Sequence, residues 1–144
     1  MVPKITVIVD TNIYFSALYN WHGNEAEILK AAGKGELILI SPDTVQEELK
    51  RILQRKLNYS AEEASSTIKL LPTIWIPRSE YTDFLLKAEN LLEHKEDAPI
   101  LASALTLKAG ILTGNKKHFD KPEITELAEI LTSKEILQII KKAR

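Results

Sequence analysis

The sequence predicts an α/β fold, a three-layer αβα sandwich around a central, mainly parallel sheet. Two observations carry that expectation. Short β-branched or apolar runs alternate with longer segments of helical periodicity, as in chains that cover a sheet with helices. The runs are also apolar on both faces, which suits parallel strands buried on both sides rather than strands with one wet face.

The first run, Lys4 to Val9, reads as a strand leading into Asp10. Asn24 to Ala32 has Ile28, Leu29 and Ala32 at helical spacing, with Gly33 and Gly35 as stops. Glu36 to Ile40 is a second strand. Ser41 to Leu57 opens with capping residues and a proline, then carries Val45, Leu49, Ile52 and Leu53 on one face, so a helix is expected there. Ala61 to Leu71 is helical, and Thr73 to Ile76 is a weaker strand closed by Pro77. Tyr81 to Leu92 and Pro99 to Ala109 follow as helices, the second ended by Gly110 before a short strand at Ile111 to Thr113. The last helix, Lys134 to Lys142, holds Ile136, Leu137, Ile139 and Ile140 and ends in a basic tail. Its apolar face suits core packing or an interface between copies. With no repeat, linker or low-complexity tract, the expectation is a single domain over 1–144.

A chain of 144 residues with 44% apolar content can fill a core without a staple. The absence of cysteine excludes disulfides and thiolate metal sites and fits a reducing cytoplasm. The apolar run at the start is too short for a signal peptide or a membrane span, so a cytoplasmic protein with no membrane partner is expected. The net charge of −1 gives no global attraction to polyanions, so phosphate contacts would need a local patch. Lys50, Arg51, Arg55 and Lys56 form one basic cluster, and Lys116, Lys117 and His118 another. Each by itself is read as a solvated face.

Four polar positions fall on one edge of the expected sheet. Asp10 follows the first strand, where open α/β sheets bind ligands. Glu48 lies within about two turns of the start of its helix, bordering the apolar face between Val45 and Ile52, whereas Glu47 points farther out. Asp97 stands just before a helix whose first turn is set by Pro99, and the short connection to the next strand returns that helix start to the same edge. Asn115 follows Gly114 past the strand at Ile111 to Thr113. Asp120, five residues on, is a further acid whose direction nothing fixes. Each residue could serve only as a turn, cap or exposed acid. Their convergence is harder to explain so, because gathered carboxylates repel and hold protons unless a cation offsets them. Oxygen ligands suit magnesium or manganese. His22, His94 and His118 lack metal-ligand spacing, which argues against zinc.

These blocks, Val9-Asp10-Thr11-Asn12-Ile13, Ser41-Pro42 with Glu48-Leu49, Asp97 to Ala104, and Leu112-Thr113-Gly114-Asn115, resemble the PIN-domain family in order and spacing over nearly the whole chain. The closest likeness within it is to the short prokaryotic members that include VapC-type toxins. The resemblance implies an αβα sandwich whose acidic pocket binds one or two Mg2+ or Mn2+ ions and cleaves RNA, leaving a 5′-phosphate and a 3′-hydroxyl. By position it makes Asp10, Glu48 and Asp97 the metal-holding acids, with Asn12 and Thr113 in support. Asn115 stands where many members carry a further acid, one negative charge fewer. Lys50, Arg51, Lys116 and Lys117 are candidates for holding the RNA backbone. Partners implied are the RNA substrate, a small antitoxin and a second copy in a homodimer. Trp21 and Trp75 are read either as core or rim residues or as base-stacking platforms.

Other α/β families fit less well. Asp10-Thr11-Asn12 lacks the paired aspartates of haloacid dehalogenase phosphatases, and no receiver-type acid pair is present. Five glycines, none in a phosphate-loop arrangement, exclude a nucleotide-binding loop. The remaining alternative is a PIN-fold module that binds RNA or a partner without cutting.

Overall fold

The computed structural model describes residues 5–144. In chain order the elements are β1 (Ile5–Val9), α1 (Thr11–Tyr19), α2 (Asn24–Gly33), β2 (Leu37–Pro42), α3 (Asp43–Lys56), α4 (Ala61–Leu70) and β3 (Thr73–Ile76). Then come α5 (Arg78–Tyr81), α6 (Leu85–Leu91), α7 (Ala98–Leu107), β4 (Gly110–Leu112), α8 (Pro122–Thr125), β5 (Ile130–Leu131) and α9 (Ser133–Ala143), with single 3-10 turns at Thr82–Phe84, Lys95–Asp97 and Lys116–Phe119.

All strand pairs are parallel, in the order β3-β2-β1-β4-β5. Val7, Ile8 and Val9 of β1, and Ile111 and Leu112 of β4, are buried, as central strands covered on both sides require. The helices fall into two groups. In one, α1 packs on α2 and α3, and α2 on α9; in the other, α7 packs on α5 and α6 and lies across β1, β2 and β4. That is the expected sandwich. The chain winds outward from β1 through β2 to β3, then returns to place β4 on the other side of β1. The crevice at such a reversal, beyond the carboxyl ends of β1 and β4, is where open α/β sheets bind ligands.

Several boundaries differ from the sequence reading. Lys4 of the first expected strand lies outside the described residues. Ser41 and Pro42 end β2 instead of opening α3. Ser41 is spent in a buried relay: Thr73 Oγ1 donates to Tyr14 Oη (3.1 Å), Tyr14 Oη to Ser41 Oγ (2.7 Å), and Ser41 Oγ to the Val9 carbonyl (2.7 Å). The helix expected over Tyr81 to Leu92 is broken into α5, a 3-10 turn and α6. Helix α7 stops at Leu107, where Lys108, not glycine, takes the left-handed conformation (φ 53°). Gly110 instead begins β4, where a Cβ would lie 3.1 Å from the Glu129 carbonyl oxygen, leaving no room for a side chain without a shift. Helix α1 and strand β5 were not expected at all. Helix α1 has an almost continuous apolar sequence with little periodicity, and β5 spans only two residues.

The apolar face of α9 is directed into the core through the buried Ile136 and Ile140. Trp75 is half-buried, its ring 5.5 Å from that of Tyr14, and so behaves as a rim residue of the core. Among the described residues no helix is long and apolar enough to cross a membrane.

Candidate functional site

One cavity of about 270 Å³ opens at the reversal point, lined on one side by Asp10, Asn12, Asp97, Asn115 and His118, and on the other by Thr44, Glu48, Ile52 and Lys56. Asp10 reaches it because β1 ends at Val9, while its carboxylate caps α1: Oδ1 accepts from the Thr11 amide at 2.8 Å. Its second oxygen accepts from Thr113 Oγ1 at 2.9 Å, across the β1–β4 switch. Thr113 in turn accepts from the Asn115 amide (3.0 Å), and Asn12 Oδ1 accepts from the Gly114 amide (3.3 Å). A Cβ on Gly114 would meet the Asn12 side chain at 3.3 Å, so glycine lets this turn close on α1.

Asp97 is buried, in the 3-10 turn that leads into α7. It stands at the helix start as expected, but its carboxylate makes no capping bond. Its Oδ2 lies 2.8 Å from His118 Nδ1, and His118 Nε2 lies 2.8 Å from Asn115 Nδ2. A neutral imidazole protonated on Nδ1, donating to Asp97 and accepting from the Asn115 amide, satisfies both contacts. The His94 ring covers the other face of His118, with centroids 3.9 Å apart and planes 18° from parallel.

Glu48 is exposed at the rim, on the side of α3 that faces the cavity. Burial is the main cause raising its carboxyl above the ordinary range, and the Asp10 charge adds to it. Burial likewise raises Asp10, against hydrogen bonds from Thr113 and Thr11 that pull it down. Asp97 is raised first by burial and then by Asp10, with the His118 bond opposing. Asp10 therefore presses on both of the other acids. Thr11 Oγ1 is buried without a hydrogen-bond partner of ordinary geometry, although it lies near enough to Glu48 to favour that ionised carboxylate weakly.

A family model for the PIN domain matches residues 8–142, and that range takes in every residue of the cavity. The chain belongs to the PIN-domain family. Solved structures that share the fold include three from toxin–antitoxin complexes. A VapBC2 complex from Rickettsia felis, crystallised with a DNA fragment from its promoter, has a chain that superposes at a TM-score of 0.66 with 19% identity, covering 89% of this chain and 98% of that one. A toxin–antitoxin complex from Klebsiella pneumoniae gives 0.65 and 17%, covering 88% and 97%. VapBC-1 from nontypeable Haemophilus influenzae gives 0.58 and 17%, covering 90% and 99%. No curated protein matches the sequence significantly.

Within this PIN domain the four expected positions, Asp10, Glu48, Asp97 and Asn115, line one cavity, and Asn12 lines it with them. Thr113 lies behind, buried under Asp10. Among the described residues no three His, Cys, Asp or Glu side chains stand close enough to form a ready-made metal cluster. The donor set is nevertheless that of a hard divalent cation: the buried Asp97 and half-buried Asp10 carboxylates, whose charges oppose one another, an amide oxygen and an unpartnered threonine hydroxyl. Magnesium commonly takes only one or two carboxylates and fills its remaining positions with water and substrate oxygens.

The basic candidates scatter. Lys50 faces a separate shallow groove with Glu47 and Lys69. Arg51 is near enough to Glu48 to lower its pKa; Lys116 is paired with Glu135 at 3.2 Å, and Lys117 is exposed. Asp120 is exposed and does not line the cavity. The cationic residue that does line it is Lys56, two helical turns beyond Glu48. Its spacing carried the signal, since 48, 52 and 56 share one face of a helix. His118 was also legible in principle, three residues after Asn115 and so on the same side of a 3-10 turn.

Proposed function

We propose that this PIN domain is a divalent-metal-dependent endoribonuclease that hydrolyses RNA phosphodiester bonds, acting as the toxin of a toxin–antitoxin pair. The observation that carries the nuclease reading is the meeting of Asp10, Glu48 and Asp97 in one cavity, from three elements far apart in sequence, each with its carboxyl pushed above the usual range. The toxin reading rests on the fold shared with chains of VapBC and toxin–antitoxin complexes.

In this reading Asp10 and Asp97 hold Mg2+ or Mn2+, with Glu48 contributing directly or through water. The bound cation supplies acidification of the attacking water and neutralisation of charge on the phosphate oxygens. Thr113 and the Thr11 amide fix the Asp10 carboxylate, and His118, held by Asn115 and His94, fixes that of Asp97. Lys56 at the cavity wall and the exposed Arg51 attract the phosphodiester backbone. Water adds across the P–O3′ bond: its hydroxyl goes to phosphorus, its proton passes by way of an ionised carboxylate and solvent to the departing O3′, and the products are a 5′-phosphate and a 3′-hydroxyl. A homodimer in the cytoplasm, held inactive by a small antitoxin, completes the proposal.

Two features favour a second reading, a non-catalytic RNA- or partner-binding module. Asn115 removes a charge from the pocket, and one oxygen of Asp97 is already engaged by His118. A panel of single-stranded and structured RNAs, incubated with magnesium, manganese or EDTA, separates the two. Cleavage that requires the metal and falls by on the order of a thousandfold in Asp97→Asn supports the nuclease. No cleavage with either metal, together with no metal uptake by calorimetry, sinks the nuclease reading and leaves the binding module.

A further inference from the structure

The cavity wall opposite Asp97 carries an aromatic track that the metal chemistry does not use. Phe15 lines the cavity with the acids, although a half-buried phenyl ring does nothing for a cation site. One turn further along α1, the Tyr19 ring lies 22° from parallel to it, centroids 5.9 Å apart, and Tyr19 is 71% exposed. Lys56 Nζ stands 5.5 Å from the centre of the Phe15 ring, and among the described residues it enters no ion pair. Flat rings in near-parallel array beside a free cation, continuous with a pocket built for a phosphodiester, match what single-stranded nucleic acid requires: faces for bases and charge for the backbone. A structured duplex would hide its bases from such a track.

We propose that Phe15, Tyr19 and Lys56 form a base-stacking subsite of the cavity, which receives an unpaired nucleotide adjacent to the bond being cut. The subsite rests on the nuclease reading above and adds to it the residues that receive the base beside the cut. Tyr19, the exposed ring, takes the base, Phe15 stacks against Tyr19 from the cavity side, and Lys56 takes the adjacent phosphate. Trp21 is excluded from the track, because it lines a different, largely apolar groove with Leu18, Leu29 and Leu70.

The test measures binding of short fluorescent oligouridylate, and of a ribose-phosphate oligomer of equal length without bases, to Asp97→Asn protein in magnesium. Adding Tyr19→Ala should weaken oligouridylate binding roughly tenfold and leave the abasic oligomer unaffected, while Tyr19→Trp retains affinity. Lys56→Gln should weaken both oligomers alike and lower the salt dependence by about 0.7 in log–log slope. Trp21→Ala serves as the control without effect. In the otherwise wild-type enzyme, Tyr19→Ala should raise KM on single-stranded RNA with kcat little changed. If wild type cleaves RNA while Tyr19→Ala binds and cleaves like its parent, the subsite is overturned, the exposed rings belong to a protein contact, and the nuclease reading stands. If wild type neither cuts nor binds RNA, both fall.

Discussion

The two walls of the cavity are built on different principles. On the wall formed by the ends of β1 and β4 and the turn before α7, nearly every polar side chain is tied to another segment. Asp10 is bonded to Thr113, Asn12 to Gly114, and Asp97 to His118, joining residues 21 to 103 positions apart. On the wall formed by α3, Glu48, Ile52 and Lys56 project from one helix face, and among the described residues only a weak approach of the Thr11 hydroxyl to Glu48 holds them. The first wall is preorganised. Its carboxylates are held in place against their mutual repulsion, so a cation meets them without a cost of ordering. The second wall keeps its side chains free, which suits groups that meet a large and variable substrate. Fixed charge and adaptable contact thus stand on opposite sides of the same cavity.

The contrast can be broken most sharply at His118. Removing it by His118→Ala frees Asp97 on the rigid wall, and metal affinity by calorimetry should fall about 10- to 100-fold, as for other residues that orient ligands. His118→Gln, which can still donate to Asp97, should recover part of the loss. Equal affinity in wild type and His118→Ala would show that the rigid wall does not depend on this clamp. On the other wall, Glu48→Gln should cost less, about tenfold in metal affinity, because Glu48 is exposed and held by no bond within the wall. A loss as large as that of His118→Ala would erase the distinction between the walls.

The smallest effect concerns stability. Asp10, Glu48 and Asp97 all bind protons more readily folded than unfolded. Each therefore contributes stability that is fully present below its unfolded pKa, near 3.8 for the aspartates and 4.5 for the glutamate, and lost as pH rises through the higher folded value. Metal-free protein should lose melting temperature as pH rises above the unfolded values of 3.8 and 4.5. Magnesium should offset that loss, since it binds the folded ionised site. At neutral pH Asp97→Asn, which keeps an acceptor for His118, should be stabilised by about 1 kcal/mol without metal. A melting temperature that does not change over this range would mean that the rigid wall stores no repulsion.

Legibility in the sequence followed the same division. Glu48 could be found because α3 has a strong apolar stripe, and a residue bordering that stripe has a defined direction. Asp10 could be found because a polar residue ending a doubly buried strand must emerge at the sheet edge. The place of His118 beside Asn115 follows from its spacing, but its clamp on Asp97 depends on a contact with a residue 21 positions earlier and could not be read. The lysines adjacent to site residues, Lys50 and Lys116, were attractive by proximity in sequence. In the fold Lys50 faces another groove and Lys116 pairs with Glu135.

The sequence by itself determined the parallel sheet except its two-residue edge strand, most of the helices that cover it and the edge at which the acids gather. These follow from local periodicity and from the burial that doubly covered strands require. The tertiary structure alone decided that Asp97 is clamped by a histidine instead of capping its helix. It also decided that Phe15 faces the acids and that Ser41 belongs to a buried relay. The physical reason is that hydrogen bonds and ring contacts between distant segments depend on distances of a few ångströms, which are set only when β4 returns to lie beside β1.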